Sequence, residues 1–264
     1  MLSDRFLTSV GGSQSRLVLL ILNYRLPPVT LALWKHAQLR VVADGGANRL
    51  YDTVSKWSCQ SVPKLNPADA VPDIIKGDLD SIRPEVLEFY RHLGSRIVDL
   101  SDDQDTTDLQ KCIDCALHQL KEDPSQLDGA SILAVGALGG RMDHVLSSLN
   151  TLYRHEGRKI LLCGDGNLVR LLPAGRSRLT PDRATEGPAC GLVNLGTPAT
   201  ASSTGLKWNL DNTRLEVAGL QSTSNIIVSD EVIVDTDRPL LWMTEFHDPV
   251  QLPETQSSTN GQLE

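Results

Sequence analysis

The sequence predicts an α/β fold, a mostly parallel sheet flanked by helices, followed by an antiparallel β-sandwich. Two patterns predict it. From Arg16 to Cys163, short apolar runs alternate with helical periods, as in a parallel sheet covered by helices. Past Cys163 the helical periods disappear, and short runs rich in β-branched residues are separated by Gly, Pro, Asn and Asp. With 264 residues and 40% apolar side chains, the chain can bury one large core or two modest ones. The expected division is an α/β domain over 1–164, a sandwich over 165–247 and a polar, disordered tail over 248–264.

Arg16–Asn23 reads RLVLLILN, almost continuously apolar, as a strand buried on both faces should be. Arg40–Ala43, Asp73–Lys76, Arg96–Leu100, Ser131–Val135 and Lys159–Cys163 are the further strands of this half. Helical periods fall between them at Val29–Ala37, Ala47–Ser55, Pro84–Leu93, Thr107–Leu120 and Asp143–His155. Pro84 suits a first helical turn, where its missing N–H is not needed. In the second half the strand runs are Leu168–Leu172, Leu192–Leu195, Arg214–Ala218, Asn225–Val228, Val232–Asp235 and Leu240–Thr244, with the boundary near Gly164–Asn167. Asn66–Pro72, with two prolines, reads as a surface loop.

A formal net charge of −8 argues against a broad basic face for nucleic acid. It is compatible with ATP where a divalent metal and a few local cations neutralise the phosphates. Five scattered cysteines, Cys59, Cys112, Cys115, Cys163 and Cys190, do not form a disulfide framework and suit a reducing compartment. Cys112 and Cys115 match C-x-x-C but lie in a helical period without a second pair, so they read as helix-packing thiols. No apolar run approaches the ~18 residues of a membrane span, and Met1–Ser15 does not read as a secretory signal. The expected location is cytoplasmic.

In open α/β sheets, ligands bind beyond the carboxyl ends of the strands. Aspartates gather at those ends here. Asp44 follows the second strand, Asp78 and Asp80 the third, Asp102, Asp103, Asp105 and Asp108 the fourth, and Asp143 the fifth. Singly, each is an ordinary cap or turn residue. Together they would repel one another unless a cation sits among them, and Mg²⁺ favours such oxygen ligands and bridges carboxylates to substrate phosphates. Asp78 and Asp80, two apart in a Gly-led turn, can aim at one ion. Gly45-Gly46 and Gly139-Gly140 mark strand-to-helix turns where backbone N–H groups can approach an anion. Arg141 offers a planar fork beside the second pair. No G-x-x-x-x-G-K-[ST] occurs, nor any protein-kinase signature set.

At these residues the sequence resembles the thiamin pyrophosphokinase family. Asp44-Gly-Gly-Ala-Asn-Arg49, Gly77-Asp-Leu-Asp-Ser81, Asp103-Gln-Asp-Thr-Thr-Asp108 and Gly139-Gly-Arg-Met-Asp-His144 look like its successive motifs, in order. Thr204-Gly-Leu-Lys-Trp-Asn-Leu210 and Ser222-Thr-Ser-Asn225 resemble the thiamin-side motifs of the eukaryotic enzymes. The resemblance implies transfer of pyrophosphate from Mg·ATP to thiamin, giving AMP and thiamin diphosphate, in a homodimer with thiamin held between subunits. It puts Asp78, Asp80, Asp108 and Asp143 on the metal or its waters. Asp105 would orient the thiamin hydroxyl or take its proton, and the roles of Asp105 and Asp108 could be exchanged. Asp44, Gly45, Gly46, Asn48, Arg49, Gly140 and Arg141 would line the nucleotide.

Thiamin, a cation with two flat rings, calls for an aromatic face and a few hydrogen-bonding groups. Trp208 is the expected platform, with Ser222, Asn225 and Gln104 as partners for the aminopyrimidine. Read singly, Trp208 would be sandwich core and Ser222 and Asn225 turn residues; the motif reverses that preference. Trp242 reads as core or dimer contact. His144 reads as a phosphate neighbour or a helix-start residue, and His36, His92, His118, His155 and His247 as structural or surface. Two rivals share the site: a Mg·ATP-dependent kinase moving only the γ-phosphate to another small alcohol, and a non-catalytic nucleotide or thiamin sensor. A sensor would be expected to lose metal aspartates, and Asp78, Asp80, Asp105, Asp108 and Asp143 are all kept.

Overall fold

The computed structural model describes residues 2–3, 16–56, 66–103, 105–122 and 130–249. Its fifteen described strands form two sheets. In chain order the elements of the first half are β1 (Leu2–Ser3), β2 (Leu17–Ile21), α1 (Thr30–His36), β3 (Leu39–Ala43), α2 (Asp44–Lys56), β4 (Ile74–Gly77), α3 (Pro84–His92), β5 (Arg96–Asp99), α4 (Asp108–Glu122), β6 (Ser131–Val135), α5 (Met142–Arg154) and β7 (Ile160–Gly164). The second half is all strand: β8 (Asn167–Leu172), β9 (Gly175–Thr180), β10 (Glu186–Val193), β11 (Ala199–Thr204), β12 (Thr213–Leu215), β13 (Ser222–Ile226), β14 (Val232–Thr236) and β15 (Leu240–Phe246).

The parallel strands lie in the order β7-β6-β2-β3-β4-β5. The chain winds outward from β2 through β3 and β4 to β5, then returns to the other side of β2 with β6 and β7. The order therefore reverses between β2 and β6, and the ends of those two strands open a crevice. Alternate residues of these strands face opposite layers. Leu19, Ile21, Val42, Ile75, Leu133 and Val135 share a core with Leu33, Trp34, Leu50, Val86 and Tyr90 of α1–α3. Val18, Leu20, Val41, Ile132, Ala134 and Leu162 pack on Ile113 and Ala116 of α4 and Leu149 and Leu152 of α5. β2, β6 and β7 are buried along their whole length, which is why they are near-continuous apolar runs. Cys112 and Cys115 are buried free thiols on α4, within the second of these cores.

The expected boundary at Gly164–Asn167 is a hairpin inside one sheet rather than a linker. Gly164 pairs with Asn167, and Asp165 and Gly166 between them have φ of 49° and 73°, the Asp-Gly geometry of a tight two-residue turn. β8 turns back antiparallel on β7, and β15, β10 and β13 continue the same sheet to ten strands. The second sheet runs β1-β9-β14-β11-β12. The sandwich core lies between it and the far end of the long sheet, where Leu172, Leu192, Leu240 and Trp242 meet Leu179, Ala201, Leu215, Val232 and Val234. Trp242 is thus core. The other element boundaries follow the sequence within about three residues, α2 beginning at Asp44 instead of Ala47, except that β10 starts at Glu186, six residues before the expected Leu192, and that β1, β9 and β11 do not correspond to any expected strand. Trp57, Cys59, Gln104 and the tail from residue 250 lie outside the described residues. No described helix is long and apolar enough to cross a membrane.

Candidate active site

A cleft of about 530 Å³ opens at the reversal of strand order. Its walls are Leu22–Tyr24 beyond β2, Asp78 and Ser81 beyond β4, Asp103, Thr106–Leu109 and Lys111 beyond β5, and residues from Gly136 to His144 beyond β6. Strand ends distant in sequence thus converge because the parallel strands all point the same way.

Asp44, Asp78 and Asp80 each bring a carboxylate oxygen within 4.8 Å of the other two. Opposed ligands of a hexacoordinate Mg²⁺ lie about 4.2 Å apart, twice the ~2.1 Å bond, so side-chain adjustments of a few tenths of an ångström suffice to bring the three oxygens onto one such ion. Asp44 reaches this point because α2 starts directly on β3 with no loop between. Asp78 and Asp80 reach it because Leu79 between them has φ of 64°, a left-handed backbone that is uncommon for a bulky residue and gathers at functional sites.

Asp44 is 1% exposed. Burial, aided by the charges of Asp108 and Asp78 and opposed by the N–H groups of Gly45 and Ser81, pushes its carboxyl up to about 6. Burial also pushes Asp78 up, but the Asp80 N–H, contacts with the Asp44 and Asp80 side chains and the Lys111 charge outweigh it and hold Asp78 below the ordinary range. Of this pair, Asp44 keeps the proton longer as pH rises. Asp108, half-buried at the start of α4, is raised by burial and then by the charges of Asp78 and Asp80, with Lys111 opposing. The upward shifts of Asp44 and Asp108 come from burial first and from neighbouring carboxylates second, a combination found at functional sites.

The other predicted site residues are distributed differently. Gly45 and Gly46 are spaces filled by protein: a Cβ on Gly45 would lie 2.3 Å from Asn23 Nδ2, and one on Gly46 2.6 Å from the Ile21 carbonyl oxygen. Gly139 and Gly140 are covered by Tyr24, whose ring would lie 2.5 Å and 2.9 Å from the added carbons. Asn48 donates from Nδ2 to the Ser81 carbonyl at 2.8 Å and accepts the Arg83 N–H at 3.0 Å, so it clamps the loop carrying Asp78 and Asp80. Arg49 donates to Asn23 Oδ1 at 3.0 Å. Arg141 donates from Nε to Asp143 at 3.1 Å, and its guanidinium is the main cause holding the exposed Asp143 carboxyl below its ordinary range. Asp105 is exposed and does not line the cleft, whereas Asp103 does. Asp103 also accepts from the N–H groups of Asp105 and Thr106, fixing the turn before α4.

On the sandwich, Trp208 is 54% exposed, with Lys207 Nζ 4.6 Å from its ring centroid. Asn225 is buried and holds the Trp208 backbone from both sides: its Oδ1 accepts the Trp208 N–H at 3.2 Å, and its Nδ2 donates to the Trp208 carbonyl at 2.8 Å. Ser222 accepts from the same Asn225 amide at 3.2 Å. Among the cleft residues that escaped the sequence reading are Asn23, Tyr24 and Lys111. Lys111 had a signal, since it follows Asp108 by three positions and so shares its helix face. Asn23 and Tyr24 carried only their place at the end of the first parallel strand.

A carboxylate cluster of metal-ligand type that reaches the switch-point cleft of a doubly wound sheet through Asp78 is the arrangement of an enzyme class, that of nucleotide phosphate chemistry. Comparison with known proteins sharpens this. Residues 30–163 match the family model "Thiamin pyrophosphokinase, catalytic domain", and residues 176–241 match "Thiamin pyrophosphokinase, vitamin B1 binding domain". Thiamine pyrophosphokinase 2 of Arabidopsis thaliana is 46% identical over 231 residues, covering 86% of this chain and 85% of its own. Thiamin pyrophosphokinase 1 of Caenorhabditis elegans is 30% identical over 219 residues, covering 81% and 82%. The crystal structure of yeast thiamin pyrophosphokinase superposes with a TM-score of 0.80 over 94% of this chain and 92% of that one, at 24% identity. The chain belongs to the thiamin pyrophosphokinase family.

Proposed function

We propose that this chain transfers the pyrophosphoryl group of Mg·ATP to the hydroxyl of thiamin, forming thiamin diphosphate and AMP. The observation that carries the reading is the convergence of Asp44, Asp78 and Asp80 on one point, with Asp78 on the wall of the switch-point cleft, in a chain whose two halves match the catalytic and vitamin B1 binding models of one family. We divide the work accordingly: 1–164 for ATP and metal, 165–247 for thiamin.

Such a transfer needs little covalent help and much positioning and charge neutralisation. Bound Mg²⁺ would supply Lewis-acid polarisation of the phosphates. Asp78 and Asp80, joined by Asp44, would hold it, and Asp108 would orient its waters from the first turn of α4. The nucleotide would occupy the cleft between Tyr24 and α4. Asp143 stands one residue from the cleft wall at His144, and its pairing presents Arg141 as a fixed fork at the mouth. Asp105, on the exposed turn before α4, would meet the thiamin hydroxyl.

Trp208 does not line the cleft of its own chain, which supports a homodimer whose active site is completed across the interface. Exposed apolar residues occur on both sides such an interface would join: Met142 and Leu146 on α5 beside the cleft, and Val217, Leu220 and Val228 with Trp208 on the sandwich. The free, buried thiols support a cytoplasmic location.

The test is incubation with ATP, Mg²⁺ and thiamin, followed by chromatography. AMP and thiamin diphosphate in equal amounts are expected; ADP with a monophosphate ester would mean transfer of the γ-phosphate alone. In the same assay, mixing inactive Asp80→Asn chains with inactive Trp208→Ala chains should restore part of the activity if each site draws on two subunits.

A further inference from the structure

We propose that Lys111 is the polyphosphate-binding cation of the cleft, its ammonium taking a non-bridging oxygen of the pyrophosphoryl portion that is transferred; this rests on the ATP-dependent reading above. Among the described residues, two side chains of the Lys/Arg type line the cleft, Arg141 and Lys111. Arg141 is solvent-exposed and already engaged with Asp143. Lys111 is 4% exposed, and among the described residues no hydrogen bond or ion pair ends on its ammonium. The residue is buried except where it lines the cleft, so its ammonium keeps only the water of the cleft, and a ligand anion there would replace that water with a charge-assisted hydrogen bond.

What surrounds Lys111 says what that partner should be. Its charge lowers the carboxyls of Asp78, Asp103 and Asp108, yet none of them comes within ion-pair distance. The lysine therefore shares the cleft wall with these carboxylates without closing on any of them, which leaves its ammonium open to a ligand. A cationic ligand such as thiamin would be repelled from this position. A polyanion would be drawn to it, and the N-terminal turn of α4, with Thr107 and Asp108 on the cleft wall, presents the positive end of a fifteen-residue helix to the same space. When the carboxylates are committed to a divalent ion, Lys111 loses the charges that balance it, and phosphate oxygens beside that ion restore the balance. Lys111 and Asp108 are three positions apart on one face of α4, so the helix sets the lysine beside the metal-facing carboxylates, where the transferred phosphates must lie, and not toward the AMP portion.

The test is calorimetric binding of α,β-methylene-ATP and of AMP, each with Mg²⁺, to the wild-type chain and to Lys111→Met, Lys111→Gln and Lys111→Arg, with circular dichroism as the control for folding. We expect Lys111→Met and Lys111→Gln to bind the ATP analogue at least tenfold more weakly, with AMP binding within twofold of wild type, and Lys111→Arg to recover most of the loss. Unchanged analogue binding in a folded Lys111→Met or Lys111→Gln chain overturns the proposal, as does an equal loss for AMP. Failure of the underlying functional reading looks different: the wild-type chain would then bind no ATP analogue and release no AMP.

Discussion

Asp44 is ionised at neutral pH against its surroundings. Its carboxyl sits near 6 in the folded chain and near 3.9 when unfolded, so the folded state holds an extra proton between those values. The stability that proton gives is complete below the unfolded value and is lost as pH rises through 6. Two pH units correspond to about 3 kcal/mol, part of which a bound divalent ion should return. Without divalent metal, the Tm should therefore fall between pH 5 and 7.5. Asp44→Asn should flatten that fall, and Mg²⁺ at pH 7.5 should raise the wild-type Tm but not that of the variant. Equal pH profiles for the two chains would remove Asp44 from the cluster. The sequence shows Asp44 at a strand end but not its burial. Its place beside Asp78 and Asp80 follows from α2 starting without a loop, because Gly45 and Gly46 let the helix press against Asn23 and Ile21.

Among elements, the loop between β4 and α3 is shaped as much by its neighbour as by its own residues. Asn48 on α2 takes one carbonyl and one N–H of this loop, at Ser81 and Arg83, while Asp44 accepts the Ser81 N–H at 3.3 Å. Removing the Asn48 amide leaves two backbone groups to find water, a loss of about 1–3 kcal/mol, and frees a turn that holds Leu79 in a left-handed conformation. Asn48→Ala should thus lower stability by that amount and raise the Mg²⁺ concentration needed for half-maximal turnover severalfold. A normal Mg²⁺ requirement would show that the loop holds its shape alone. The parallel strands and the five described α-helices were legible because periodicity reports burial directly, as in the unbroken apolar runs of β2 and β6. β9 and β11 were not, because GRSRLT buries only Ser177 and Leu179, and ATASST turns Ala199, Ala201 and Ser203 inward. Small and hydroxylated residues suffice where two sheets approach closely, and they leave no apolar alternation to read. Asn225 illustrates the same limit for sites: its motif was visible, but its burial and its hold on the Trp208 backbone depend on a contact between a strand and a loop, 17 positions apart.

At the scale of the molecule, one ten-stranded sheet serves both halves of the proposed reaction. Its parallel end forms the switch-point cleft, and its antiparallel end forms half of the sandwich that carries Trp208. The sequence signalled two kinds of architecture, and at the expected boundary Gly164–Asn167 the chain makes a hairpin within one sheet, which Gly-Asp-Gly-Asn does not distinguish from a linker. A continuous sheet fixes the two ends rigidly, so the distance from Trp208 to the cleft cannot be closed by hinging at that turn, in keeping with a site shared between subunits. The central claim is that carboxylates from separate strand ends hold one divalent ion against the nucleotide. Electron paramagnetic resonance of Mn²⁺, titrated into wild-type and Asp78→Asn/Asp80→Asn chains with α,β-methylene-ATP present, tests it directly. The wild-type chain should bind Mn²⁺ at the nucleotide, and the double variant should bind it at least tenfold more weakly while losing turnover. Equal Mn²⁺ affinity and retained turnover in the variant would contradict the account.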